Sequence, residues 1–202
     1  MEARLTRIVL LLLFTLLLLG CNKGRRGTIE VYSNKLTLST DELDRQVISD
    51  YLNTQLNADP PDARPLLICS DTFIGPSASL EIVVNRLGSQ QVKDLIDDYG
   101  HRNSSSRHLD DKLSIDHEYR WVSQADLTRL TKGKVGYDFY QSIKSNFGEV
   151  FGPLSFSSPG YNDEKNRAMF FFSRSGADGR FVIMRFENKQ WVVENEAFVY
   201  IV

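Results

Sequence analysis

The chain has three histidines, His101, His108 and His117, and they fall within seventeen residues of one another. Asp110, Asp111, Asp116 and Glu118 lie among them. Neutral imidazoles beside carboxylates are the raw material of a zinc site or of a general base. The spacing is a poor match to either, because six residues separate the first pair, eight separate the second, and the stretch reads as loop. In a strand running through Asp116 to Tyr119, His117 and Glu118 would point to opposite faces. The expectation is therefore a solvated polar loop, with no metal and no cofactor. His117, Glu118 and His108 stay as the candidates for catalysis should the chain be a hydrolase. The common signatures of enzymes are missing: no Gly-x-Ser-x-Gly elbow, no His-Glu-x-x-His, no Cys-x-x-Cys pair and no phosphate loop.

The two cysteines have different surroundings. Cys69 sits in Leu66-Leu67-Ile68-Cys69, an apolar run that reads as a buried strand. Its expected role is that of a small buried hydrophobe. A nucleophile or an intermolecular bridge would need a reachable thiol. Cys21 ends a different pattern. Arg4 and Arg7 precede Ile8 to Leu19, twelve residues that are all apolar except Thr15, and Gly20-Cys21 follow at once. Twelve apolar residues fall short of the roughly 20 that a membrane span requires. Leu18-Leu19-Gly20 also lacks the small-x-small site of a plain secretory signal.

Leu18-Leu19-Gly20-Cys21 resembles the lipobox of bacterial lipoproteins. The resemblance implies a thiol carrying diacylglycerol, cleavage before Cys21, and an acylated N-terminus held in a lipid bilayer. It implies a cell-envelope location, and Asn22, where enteric inner-membrane lipoproteins carry Asp, implies the outer membrane. On this basis residues 1–20 form a signal peptide, 21–35 the lipid anchor and tether, and 36–202 one globular domain.

The whole chain carries a net charge of −2, and loss of Glu2, Arg4 and Arg7 with the signal would leave it about one unit more negative. That balance gives no electrostatic footprint for nucleic acid. What remains is long enough for one domain with a real core. The tether holds Lys23, Arg25 and Arg26, which suit a solvated linker or anionic headgroups.

The elements that would position any site follow from periodicity. Ser39-Thr40-Asp41-Glu42 has the spacing of a capping box. Leu43, Val47 and Tyr51 form one ridge and Ile48, Leu52 and Leu56 the next, which gives an amphipathic helix ended by Asn57 to Pro61. Pro65 to Phe73 reads as a strand, broken at Gly75-Pro76-Ser77. Leu80 to Leu87 suits strand or helix equally. Ser89 could open a helix that Gly100 stops. A short strand at Tyr119 to Ser123, a helical turn at Asp126 to Leu130 and a helix over Tyr137 to Phe147 come next. Tyr137, Phe139, Tyr140, Phe147 and Phe151 could line a groove but are expected to pack helix on sheet.

The last fifty residues read as antiparallel strands at Leu154–Ser157, Ala168–Ser173, Arg180–Glu187 and Gln190–Val202. Asp178-Gly179 and Asn188-Lys189 are the expected turns. Alternation of Phe181, Ile183, Arg185 and Glu187 against Val182, Met184 and Phe186 suggests a sheet with one face covered by the helices and one partly open. The fold class is thus α+β, N-terminal helices packed on a C-terminal antiparallel β-meander of about four strands.

Several short motifs occur in an order similar to that of a group of uncharacterised bacterial secreted proteins and lipoproteins. They are Ser70-Asp71-Thr72, Tyr99 through Arg102-Asn103, Gly136-Tyr137-Asp138-Phe139-Tyr140, Phe156-Ser157-Ser158-Pro159-Gly160-Tyr161-Asn162, the strand led by Ala168, and Trp191-Val192-Val193. Ser158-Pro159 stands where that group has Arg-Val, and its closing Trp is replaced near Tyr200. The resemblance implies an α+β domain with a C-terminal meander and brings no activity with it. The function expected is a lipid-anchored, non-enzymatic binding module for a protein, peptide or glycan, without nucleic acid. The alternative is an envelope hydrolase using the residues around 101–118.

Overall fold

The computed structural model describes residues 39–58, 63–74, 80–87, 89–109, 112–174 and 178–200. Cys21, the tether, Asp110 and Asp111 lie outside them. The described residues belong to one unit, Lys35–Val202.

The capping box forms as expected. Ser39 N–H donates to the Glu42 carboxylate at 2.8 Å, and Glu42 N–H donates back to Ser39 Oγ at 3.3 Å. The Ser39 N–H and then the Ser39 hydroxyl, both donating to the carboxylate, hold the Glu42 carboxyl below its ordinary range. Helix α1 (Thr40–Ala58) follows, and its ridge of Leu43, Val47, Ile48, Tyr51 and Leu52 is buried.

Next come β1 (Leu66–Cys69), α2 (Leu80–Leu87), α3 (Ser89–Arg102), β2 (Tyr119–Val122), α4 (Gln124–Thr131) and α5 (Gly136–Phe147). The C-terminal part supplies β3 (Phe151–Phe156), β4 (Gly160–Tyr161), β5 (Arg167–Arg174), β6 (Asp178–Glu187) and β7 (Gln190–Tyr200). One mixed sheet holds all seven strands in the order β2-β1-β3-β5-β6-β7, with β4 also on β5. The expected meander is there, since β3, β5, β6 and β7 pair antiparallel. Beyond it β1 runs parallel to both β2 and β3. The helical connections make this possible, because parallel neighbours need long crossovers. No described helix is long and apolar enough to cross a membrane.

Both faces of the sheet are covered, which corrects the expectation of one open face. On the first, Leu66, Ile68, Phe156, Phe170, Phe172, Val182, Met184 and Trp191 meet the ridge of α1. Tyr51 stands edge-on to Phe170 and Phe172 at 5.2 and 5.3 Å. On the second, Met169, Phe171, Phe181 and Ile183 meet Val83, Val92, Leu95 and Tyr99 of α2 and α3. Leu67 and Val122 meet Leu127 and Ile143 of α4 and α5. The physical reason lies in the middle of β5 and β6, where both alternating sets are apolar, as in strands buried on two sides. The unalternating Phe170-Phe171-Phe172 is central, as its composition suggested.

Two local expectations change. Gly100 lies inside α3 and does not stop it. The helix ends at Asn103, whose backbone N–H (3.0 Å) and side-chain Nδ2 (2.8 Å) both donate to the Tyr99 carbonyl. Asp178 and Gly179 are not a turn but the start of β6, paired to β5 and to β7. Gly179 is there because a Cβ would run into the Phe171 ring. The other expected turn is correct: Asn188 and Lys189 adopt φ of 50° and 70° between β6 and β7, the geometry of a two-residue hairpin turn.

Candidate functional site

The three histidines do not assemble. His101 is exposed on α3. His117 is half-buried, with Nε2 2.8 Å from the Arg64 carbonyl. Glu118 is exposed, with its carboxylate 3.6 Å from Arg120. Among the described residues no group of three His, Cys, Asp or Glu side chains could hold a metal ion.

One histidine does meet a carboxylate. The segment carrying His108 bridges antiparallel to Asp71, just past the end of β1. His108 Nδ1 lies 3.1 Å from Asp71 Oδ1. Gln124 N–H, at the start of α4, donates to Asp71 Oδ2 at 2.9 Å. The Gln124 bond, and after it the His108 contact, hold the Asp71 carboxyl below its ordinary range against a smaller burial effect. Cys69, two residues before, is fully buried with Sγ donating to Gln124 Oε1 at 3.3 Å. Burial pushes its thiol pKa up, so it behaves as a small core residue.

Three of the short motifs, at 70–72, 99–103 and 156–162, meet in space. Asn103 Nδ2 donates to the Ser158 carbonyl and Ser158 N–H donates to Asn103 Oδ1, both at 2.8 Å. Ser158 Oγ reaches Thr72 Oγ1 at 3.3 Å, and Thr72 Oγ1 accepts from Arg107 N–H at 2.8 Å. Ser157 Oγ accepts from Phe171 N–H at 2.7 Å. A Cβ on Gly160 would collide with the Tyr99 backbone, so only glycine lets α3 lie against β4. The knot thus ties the end of β1, the end of α3 and the break between β3 and β4.

Beside the knot is a buried triad that the sequence did not announce. Asp44 of α1 accepts from Arg102 Nη2 at 2.7 Å and from the Tyr161 hydroxyl at 2.8 Å. The side chains of Asp44 and Arg102 are each only 8% exposed. The Arg102 guanidinium lies 5.1 Å from the centre of the Tyr161 ring, and its Nη1 finds no partner among the described residues. Burial raises the Asp44 carboxyl to about 6, with Arg102 and Tyr161 pulling the other way. Tyr161 is pushed well above its ordinary range, first by burial and then by Asp44. A signal for this triad was present. Asp44 is four residues before Ile48, at the head of an apolar ridge where a carboxylate has no business unless it is paired.

Arg102 and Tyr161 of the triad line a cleft of about 770 Å³. Asp94, Asp98 and His101 of α3 form one wall; Arg107, Asp163 and Lys165 stand on the others. Asp98 also accepts from Tyr161 N–H at 2.7 Å, which fixes α3 against β4. The volume lies in the range of ligand sites, but the lining is polar and of both charge signs. Such a surface offers donors and acceptors to a polar ligand. No family model matches the chain, and neither a curated protein nor a solved structure matches it, so function is argued from these residues alone.

Proposed function

We propose that the chain is a lipid-anchored protein of a bacterial cell envelope, carried at the outer membrane, whose domain is a binding module for a polar partner: a protein, a peptide or a glycan. The cleft beside Arg102 carries this reading. It combines a usable volume with a lining of charged and hydroxyl groups that includes the ion-paired Arg102. The anchor rests on the lipobox at Leu18 to Cys21.

Two experiments test the two halves. Cys21→Ser should release the protein from membranes, and continued membrane fractionation sinks the anchor. Peptide and glycan arrays probed with the acylated protein should show binding that Arg107→Ala with Lys165→Ala removes. Binding indifferent to both substitutions moves the site elsewhere.

The His108–Asp71 contact favours one second reading, the envelope hydrolase. Asp71 would orient the ring through Nδ1 and leave Nε2 to act as a general base on water. His117 would not take part, since its ring is engaged by the Arg64 carbonyl. Hydrolysis of generic chromogenic esters that vanishes in His108→Asn and survives in His117→Ala would establish this reading over the binding module.

A further inference from the structure

The described surface has one place where large apolar side chains gather in the open. Val135 is 83% exposed, Tyr137 74% and Tyr140 56%, all at the start of α5. Their neighbours Phe139 and Phe147 pack inward against Leu67, Val122, Leu127 and Ile143. The aromatic set at 137–151 therefore splits, half core and half display. Tyr137, Tyr140 and Lys144 share one helix face at i, i+3 and i+7. Next to Tyr140 a second groove of about 340 Å³ is lined by Arg64, Lys144, Glu149, Phe151 and Arg174, with the Lys144 ammonium paired to the Glu149 carboxylate. The Arg174 and Arg64 guanidinium groups lie 5.4 and 5.9 Å from the Phe151 ring centre. Lys132 and Lys134 add exposed cationic residues before the helix, while Asp138 and Glu149 are the carboxylates on it and at its end.

We propose that this face of α5 is a docking surface for an anionic bilayer. Val135, Tyr137 and Tyr140 enter the interfacial layer, and the Arg64–Arg174 groove receives lipid phosphate. Tyrosine suits that layer because one end of the ring is apolar and the other wet. Basic side chains beside it are drawn to anionic headgroups. A second copy of the chain is a poorer occupant, since pairing the face with itself would bring its lysines and arginines together. The proposal rests on the lipid-anchor reading for its source of bilayer. Seventeen residues lie between Cys21 and Ser39, and fully extended the segment spans about 60 Å. A domain of this size is roughly 40 Å across, so the tether lets α5 turn to the lipid.

The test uses the full chain purified from membranes and placed in phosphatidylethanolamine vesicles with or without phosphatidylglycerol. Tyr137→Cys and, as reference, Lys93→Cys each carry a polarity-sensitive fluorophore; Cys69 is buried and does not react. The label at 137 should be shielded from aqueous iodide when phosphatidylglycerol is present, and the label at 93 should stay open. An acylated, floating protein in which both labels are equally quenched overturns the docking face and leaves the anchor standing. Shielding at 137 that depends on protein concentration instead of phosphatidylglycerol assigns the face to a second copy and also overturns it. A protein without acyl chains that floats only on phosphatidylglycerol, and partitions about tenfold less in Val135→Ser/Tyr137→Ser/Tyr140→Ser, fails the anchor and supports the face. Without acyl chains, flotation indifferent to those substitutions, or no flotation at all, overturns both.

Discussion

The end of α3 and the start of α5 treat polarity in opposite ways. At the end of α3 polar groups are taken inside: Asn103, Ser158 and Thr72 are buried and bonded in a chain, Ser157 is buried and bonded to the Phe171 backbone, and a carboxylate and a guanidinium sit beside them out of water. At the start of α5 valine and tyrosine are left in water. A buried polar group is costly to disturb because it has no substitute partner, whereas an exposed apolar one stabilises nothing in the folded chain and is free to serve something else. The two regions should therefore respond very differently to substitution.

The sharpest contrast comes from the ion pair. Arg102→Met leaves Asp44 buried without its cation and should cost about 3–5 kcal/mol in chemical denaturation. The double variant Asp44→Leu/Arg102→Met should recover much of that loss, and a double variant no better than the single would show that packing, not charge, is at stake.

The second effect is a pH dependence. Asp44 ordinarily titrates at 3.8 and is raised to about 6 in the fold, so the folded state holds its proton more tightly. The stability this brings is fully present below about pH 4 and is lost as pH rises through 6, at most about 3 kcal/mol. Asp71 and Asp126, held low by hydrogen bonds, act in the opposite sense at lower pH. Melting temperature followed from pH 4 to 7 should lose this falling component in Asp44→Asn; an unchanged profile would refute it.

Asn103→Ala removes three hydrogen bonds and leaves the Ser158 N–H and carbonyl unmatched, a loss of about 2 kcal/mol by denaturant titration. Ser39→Ala, which strips the cap of α1 at the surface, should cost about 1 kcal/mol. Tyr137→Ser and Tyr140→Ser should change stability by no more than about 0.5 kcal/mol. A large loss at Tyr137 would erase the difference between the two regions.

Helix α1 was legible because its signals are local: a cap and two ridges within nineteen residues. The last hairpin was legible for the same reason, a two-residue turn between alternating runs. The parallel pairing of β1 was not, because nothing in Leu66–Cys69 names Tyr119 or Phe151 as a neighbour. The open face was misjudged since alternation at Arg185 and Glu187 was extended to the apolar middle of β6. At the site, the histidine cluster was a coincidence of sequence distance, and the His108–Asp71 contact joins residues 37 apart. The motifs that converge on Asn103 were visible as letters, but the bonds that explain them span 55 and 86 positions. Asp44 alone carried a local clue, a charge at the head of an apolar ridge.

The position of β1 in the sheet also constrains the order in which the chain can assemble. Its neighbours are β2, beginning at Tyr119, and β3, beginning at Phe151. A ribosome makes Leu66–Cys69 before either, so this apolar segment has two open edges until β2 is made and one until β3 is made. The β6–β7 hairpin, by contrast, closes over two residues and needs no distant partner. A fragment cut before Phe151 therefore keeps a strand with nothing to lie against on one side.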